Sequence, residues 1–66
     1  MKILVNGEER EYQEEMTLLQ LIESLKVGEK VMAAAVNMEI VKKDRWSDHR
    51  LVDGDRVELL HFVGGG

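Results

Sequence analysis

Met16-Thr17-Leu18-Leu19-Gln20-Leu21-Ile22-Glu23-Ser24-Leu25 is the stretch from which the fold is read. Thr17 suits an N-cap, because its hydroxyl can accept from an amide of the first turn, and Gln20 stands three positions on, where its side chain reaches back to the cap. Met16 and Leu21 occupy the two positions of a hydrophobic staple around that start. Leu18, Leu21, Ile22 and Leu25 then recur at helical spacing and form one apolar stripe. Gly28 is placed to end the segment as a left-handed cap. A lone amphipathic helix must bury its stripe, and the segments on either side read as strands. The expected architecture is one helix laid across one sheet.

Toward the N-terminus, Ile3 and Val5 alternate with Lys2, Leu4 and Asn6, the period-two pattern of a half-buried strand. Asn6-Gly7 is the favoured two-residue hairpin turn, and Glu8 to Gln13 is expected to return antiparallel. That return carries little apolar surface and many carboxylates, so it reads as a sheet edge protected by charge. Beyond the helix, Val31 to Val36 is a strand rich in small residues, and Glu39 to Val41 is a short partner for it. Between them Asn37-Met38 is a tight-turn position, but methionine does not readily take the positive φ that a primed turn needs. A longer or differently shaped turn is therefore expected. Lys42 to Arg50 is polar apart from Trp46, which suits an irregular or short helical crossing anchored by a buried ring. Asp53-Gly54-Asp55 is a second strong turn signal, and Arg56 to Phe62 is the last strand.

Composition excludes several function classes. At 66 residues the chain makes one small domain, close to the size at which a single core barely suffices. The absence of cysteine removes disulfides, thiolate metal sites and thiol nucleophiles. A net charge of -4 argues against nucleic acid, which calls for a basic stripe. No apolar run approaches membrane-spanning length, and the N-terminal apolar run is too short for a signal peptide, so a cytoplasmic protein is expected. There is no phosphate-binding loop and no dinucleotide fingerprint. His49 and His61 fall in different elements without partners at catalytic or ligand spacing, so neither a catalytic nor a metal site is expected.

The sequence finishes Val63-Gly64-Gly65-Gly66. A compact body over residues 1–63 with a flexible glycine tail over 64–66 is the expected division. Glycine has no Cβ, so such a thread can enter a slot too narrow for other residues and present the Gly66 carboxylate to a partner's active site. Three extended residues reach about 10 Å. On the last strand Val57, Leu59 and His61 share one face, and Arg56, Glu58, Leu60 and Phe62 share the other. With Val57 and Leu59 assigned to the core, Leu60 and Phe62 lie outward beside the glycines, and Leu4 has matching parity on the first strand. These three, with Val63, are the expected docking residues.

The order ββαβββ, the segment Val36-Asn37-Met38-Glu39-Ile40-Val41, Trp46, the Asp53-Gly54-Asp55 turn and the terminal Gly65-Gly66 resemble the ThiS family over essentially the whole chain. Two positions depart from the family pattern: Met38 stands where glycine is usual, and Lys42 where proline is frequent. The resemblance implies an α+β, ubiquitin-like β-grasp with a mixed sheet of four to five strands. It also implies a sulfur carrier of thiamine thiazole synthesis that is acted on by enzymes and binds no cofactor itself. A ThiF-like adenylating enzyme would use ATP and magnesium to activate the Gly66 carboxylate, with Gly64 and Gly65 threading its channel. A sulfur donor such as a cysteine desulfurase would convert the adenylate to a thiocarboxylate, and a ThiG-like thiazole synthase would accept the sulfur. The free protein is expected to be a monomer. A MoaD-like small subunit of molybdopterin synthase, a ubiquitin-like modifier and a non-covalent β-grasp interaction module remain open at this stage.

Overall fold

A computed structural model describes residues 1–26 and 30–61 of the chain. Gly28, Phe62, Val63, the expected tail over 64–66 and the side chain of His61 lie outside what it describes. The elements are β1 (Lys2–Val5), β2 (Glu8–Glu11), α1 (Leu18–Ser24), β3 (Val31–Val36), β4 (Glu39–Val41) and β5 (Arg56–His61), with a 3-10 turn at Lys43–Arg45. The strands form one five-stranded sheet in the order β2-β1-β5-β3-β4. At its centre β1 and β5 run parallel, Leu4 beside Arg56 and Val5 beside Val57. The neighbouring pairs β1·β2, β3·β4 and β3·β5 are antiparallel, so the sheet is mixed.

Alternation decides which face is covered. Ile3, Val5, Val31, Ala34, Val36, Val57 and Leu59 are buried, and the helix adds Leu18, Leu21 and Ile22 to the same core. Trp46 and Leu51, from the crossing between β4 and β5, complete it. The Trp46 indole N–H donates to the Val41 carbonyl at 2.9 Å, which satisfies its one polar atom. Arg10 and all three glutamates of β2 are exposed at the sheet's edge, as their charge requires.

The crossing also completes the helix. A helix begins with four amide N–H groups that have no partner within it. Here Leu18 donates to the His49 carbonyl at 2.8 Å and Leu19 to the Trp46 carbonyl at 3.0 Å. Gln20 donates to the Thr17 hydroxyl at 3.2 Å, and the Gln20 side chain accepts from the Thr17 amide at 2.9 Å, closing the expected capping box. Thus α1 is tied to the crossing segment at both of its outermost amides.

Two local expectations are corrected. The helix stops at Ser24 with Leu25 as its cap, and Lys26 (φ 59°) is the left-handed residue that follows, ahead of the expected Gly28. The β3–β4 connection is neither long nor irregular, since Val36 pairs with Glu39 across a two-residue turn. Asn37 (φ 51°) and Met38 (φ 74°) both take the left-handed region, as in a primed hairpin turn. The turn is held by bonds of Asn37 to distant residues, which local preference does not reveal. The Asn37 amide donates to the Arg56 carbonyl at 2.8 Å, its side-chain oxygen accepts from the Arg56 amide at 3.0 Å, and its Nδ2 donates to Asp55 Oδ1 at 2.9 Å.

Candidate functional site

β5 is the strand that leads toward residues 62–66, and it lies in the middle of the sheet. β3 pairs with it from Val57 to His61, with a register irregularity between Val31 and Ala33. On the other side β1 holds Asp55 and Val57 through the Leu4 and Asn6 amides, at 3.0 and 2.9 Å. Asp55 itself is only 6% exposed, and its carboxylate accepts from Asn37 Nδ2 and from the Val52 amide at 2.8 Å. This buried carboxylate joins the Asn37 turn, the Val52–Asp55 turn and the start of β5. Asn6, at the end of β1, receives the Leu59 amide on Oδ1 at 2.8 Å and donates Nδ2 to the Leu59 carbonyl at 3.3 Å.

The sheet face opposite the helix is open. It carries a groove of about 450 Å³ whose walls include Ala33, Ala35, Met38, Ile40, Glu58 and Leu60. The register explains the grouping: Leu60 lies beside Ala33, and Glu58, Ala35 and Ile40 follow one another across three strands. Small side chains on β3 make the floor, and larger ones stand at the rim. Leu60 is 64% exposed, Ile40 72% and Met38 77%, so three large apolar side chains face solvent around one depression.

Of the docking residues expected from the sequence, Leu60 stands on this groove. Leu4 is half-buried beside Arg56, four residues from Leu60 along β5 and so about 13 Å away. Glu58 and Asn6 lie between the two on that face, so the structure does not bring Leu4 and Leu60 into one groove. Phe62, Val63, Gly64, Gly65 and Gly66 fall outside the described residues. Met38 and Ile40 were not among the docking residues expected from the sequence. Ile40 had the signal, because it has the opposite parity to the half-buried Val41 on a strand of three residues. Met38 had none, because its place depends on the turn geometry. Among the described residues no group of three or more His, Cys, Asp or Glu side chains is arranged to hold a metal ion. Among them no helix is long and apolar enough to cross a membrane.

A family model described as the ThiS family matches residues 3–66. The chain belongs to the ThiS family. It is 32% identical to the sulfur carrier protein ThiS of Escherichia coli, with both chains covered completely. It is 33% identical to the corresponding protein of Bacillus subtilis, over 94% of this chain and 96% of that one. Another relative is a thiazole synthase of Paramagnetospirillum magneticum, 39% identical over the full 66 residues, and the chain spans about a fifth of its length, 20%. The crystal structure of the thiamine biosynthesis protein ThiS from Geobacter metallireducens superimposes with a TM-score of 0.82 at 33% identity, with both chains fully covered. The β-grasp expected for the ThiS family is therefore the observed fold, with five strands in the sheet.

Proposed function

We propose that this chain is a sulfur carrier of thiamine thiazole formation, in which Gly66 is the group that is activated and loaded. A carboxylate is a poor electrophile. A ThiF-like partner brings ATP, with magnesium, to the Gly66 carboxylate, which displaces pyrophosphate and becomes an acyl-adenylate. Persulfide sulfur from a separate donor, such as a cysteine desulfurase, then displaces AMP to give an acyl disulfide, and a thiol reductant supplies the two electrons that cleave its S–S bond and leave a thiocarboxylate. A ThiG-like thiazole synthase takes the sulfur from there. The chain's own part is to dock and to present its end. Leu60 and the groove beside it, with Phe62 and Val63, make the docking surface, to which Leu4 adds a separate contact, and Gly64 and Gly65 thread the partner's channel.

The observation that carries this reading is the family match, which runs to residue 66 and so takes in the glycines. The thiazole synthase relatives add support for the acceptor, because this sequence matches a fifth of each of them, 20%. Molybdopterin and protein-modifier roles have no such support.

Intact mass measurement tests the reading directly. The chain is incubated with the ThiF-like enzyme of its source organism, ATP, magnesium, a sulfur donor and a thiol reductant. The expected result is a mass increase equal to sulfur replacing one oxygen, lost on deletion of Gly66 and on Gly65→Ala, which puts a Cβ in the channel. Both variants are expected to keep the thermal midpoint of the parent, because the core residues are unchanged in both. Loading of the Gly66-deleted chain, or no loading of the parent, refutes the proposal.

A further inference from the structure

We infer that Asn6 is a positioning residue for the activation of Gly66: its carboxamide substitutes for missing backbone and holds β5 at Leu59, on the way to the terminus. The inference rests on the carrier reading above and concerns a residue far from the terminus in sequence. The parallel β1·β5 ladder ends at Val5 and Val57, because the chain turns away at Asn6-Gly7, with φ values of 50° and 83°. Another pair of backbone groups on β5 still faces that side, the N–H and C=O of Leu59. Leu59 is only 8% exposed, and buried backbone groups of this kind need partners. Asn6 supplies both. Its Oδ1 accepts from the Leu59 amide at 2.8 Å and its Nδ2 donates to the Leu59 carbonyl at 3.3 Å, while its own amide bonds the Val57 carbonyl at 2.9 Å. One residue thus holds β5 at two successive rungs.

Location gives the clamp its consequence. Leu59 is seven residues before Gly66, a span of at most about 25 Å when fully extended. On the opposite edge of β5 the β3 ladder is irregular just beyond Leu60, between Val31 and Ala33. Without Asn6, the last hold on the β1 side among the described residues retreats to Val57. An adenylating enzyme that grips the body and must place the carboxylate against the α-phosphorus then receives the end in a wider range of positions. Misplacement by about 1 Å can cost on the order of a hundredfold in rate.

The other asparagine provides the control. The chain has two, and both sit first in a primed turn and bond β5 with backbone and side chain together. Asn37 holds the start of the strand, at Arg56 and Asp55, and one of its bonds goes to a carboxylate. Glycine at either position keeps the turn, since it accepts positive φ, and deletes the side-chain bonds. Bonds to charged groups are the stronger kind, so Asn37→Gly loses at least as much stability as Asn6→Gly. If stability alone governed activity, Asn37→Gly would be the poorer carrier.

The experiment compares both variants with the parent in carrier-dependent ATP–pyrophosphate exchange by the ThiF-like enzyme, alongside amide hydrogen exchange followed by NMR. The result expected for Asn6→Gly is loss of protection at the Leu59 amide, kcat lowered about tenfold or more, and KM for the carrier within about twofold. Asn37→Gly keeps kcat near the parent value. Asn6→Asp, which keeps the acceptor and tolerates positive φ, falls between parent and glycine variant and guards against a folding failure of the first. Equal kcat values for the two glycine variants overturn the inference. So does a change confined to KM, which would assign Asn6 to docking, since it also borders the groove. Absence of exchange with the parent refutes the carrier reading and this assignment with it, whereas an unchanged Leu59 amide refutes the clamp alone.

Discussion

The β1–β2 and β3–β4 hairpins turn on the same chemistry, an asparagine in the left-handed region that reaches from the turn to β5, yet they border different surroundings. The first continues with glycine and runs into a strand of exposed charge, Glu8 to Glu11. The second continues with methionine and runs into Glu39-Ile40-Val41, where Met38 and Ile40 expose apolar side chains beside Leu60. Charge on an edge strand keeps other chains away, whereas clustered exposed apolar residues are what a partner surface seeks. The pair teaches that turn geometry and edge chemistry vary separately. The β2 edge faces water, and the β4 edge adjoins the proposed docking face.

Breaking the Asn37 side of the comparison is expected to have the largest effect. In Asp55→Ala the Asn37 Nδ2 and the Val52 amide both lose a buried charged acceptor. The loss should be about 3 kcal/mol, read as a lower midpoint in urea unfolding. Asp55→Asn should recover only part of it, because the amide would turn a donor toward one of two donors. An Asp55→Ala midpoint within error of the parent would show that the buried carboxylate does not hold the second turn.

The next test makes the first turn resemble the second. Gly7 has φ 83°, and a Cβ built there meets nothing within 4 Å, so the cost expected of Gly7→Met is one of backbone conformation. Left-handed backbone costs a non-glycine residue about 1–2 kcal/mol, and the reduced entropy of the unfolded chain returns about 0.4–1. A net loss near 1 kcal/mol is expected, or about 4–8 °C in the thermal midpoint. No loss would mean that the Asn6 bonds alone dictate the turn.

These particulars mark how far the sequence could be read. The helix start was legible because Thr17, Gln20 and the stripe Leu18, Leu21, Ile22 are signals within one turn or two, and the hairpin at Asn6-Gly7 is equally local. The buried residues of β1 and β5 followed from alternation. The Met38 turn was misread because Asp55 and Arg56, which hold Asn37 in place, lie 18 and 19 residues away. Helix termination at Lys26 was missed because lysine carries no intrinsic preference for the left-handed region. On the functional side, the ThiS resemblance and the outward parity of Leu60 were legible. The groove was not, since it needs the register of β4, β3 and β5 together, and nothing in the spacing of Asn6 and Leu59 indicates that a side chain extends a parallel ladder between them.

The smallest stability effect, and the one whose sign matters most, belongs to Met38→Gly. Glycine relieves the left-handed strain at φ 74°, worth about 1–2 kcal/mol, and gives back about 0.4–1 through the looser unfolded chain. Less the packing of the Met38 side chain on the groove rim, a net gain of roughly 0.5 kcal/mol should appear as a slightly raised thermal midpoint. A residue kept in a costly conformation, 77% exposed and on the rim of an apolar groove, is accounted for if its side chain meets a partner. The same variant should therefore bind the ThiF-like enzyme several-fold more weakly in a titration, about 1 kcal/mol for one apolar contact at an interface. Stability and affinity would then move in opposite directions at one residue. If affinity is unchanged while the midpoint rises, Met38 contributes nothing to docking, and the groove's working rim contracts to Ile40 and Leu60.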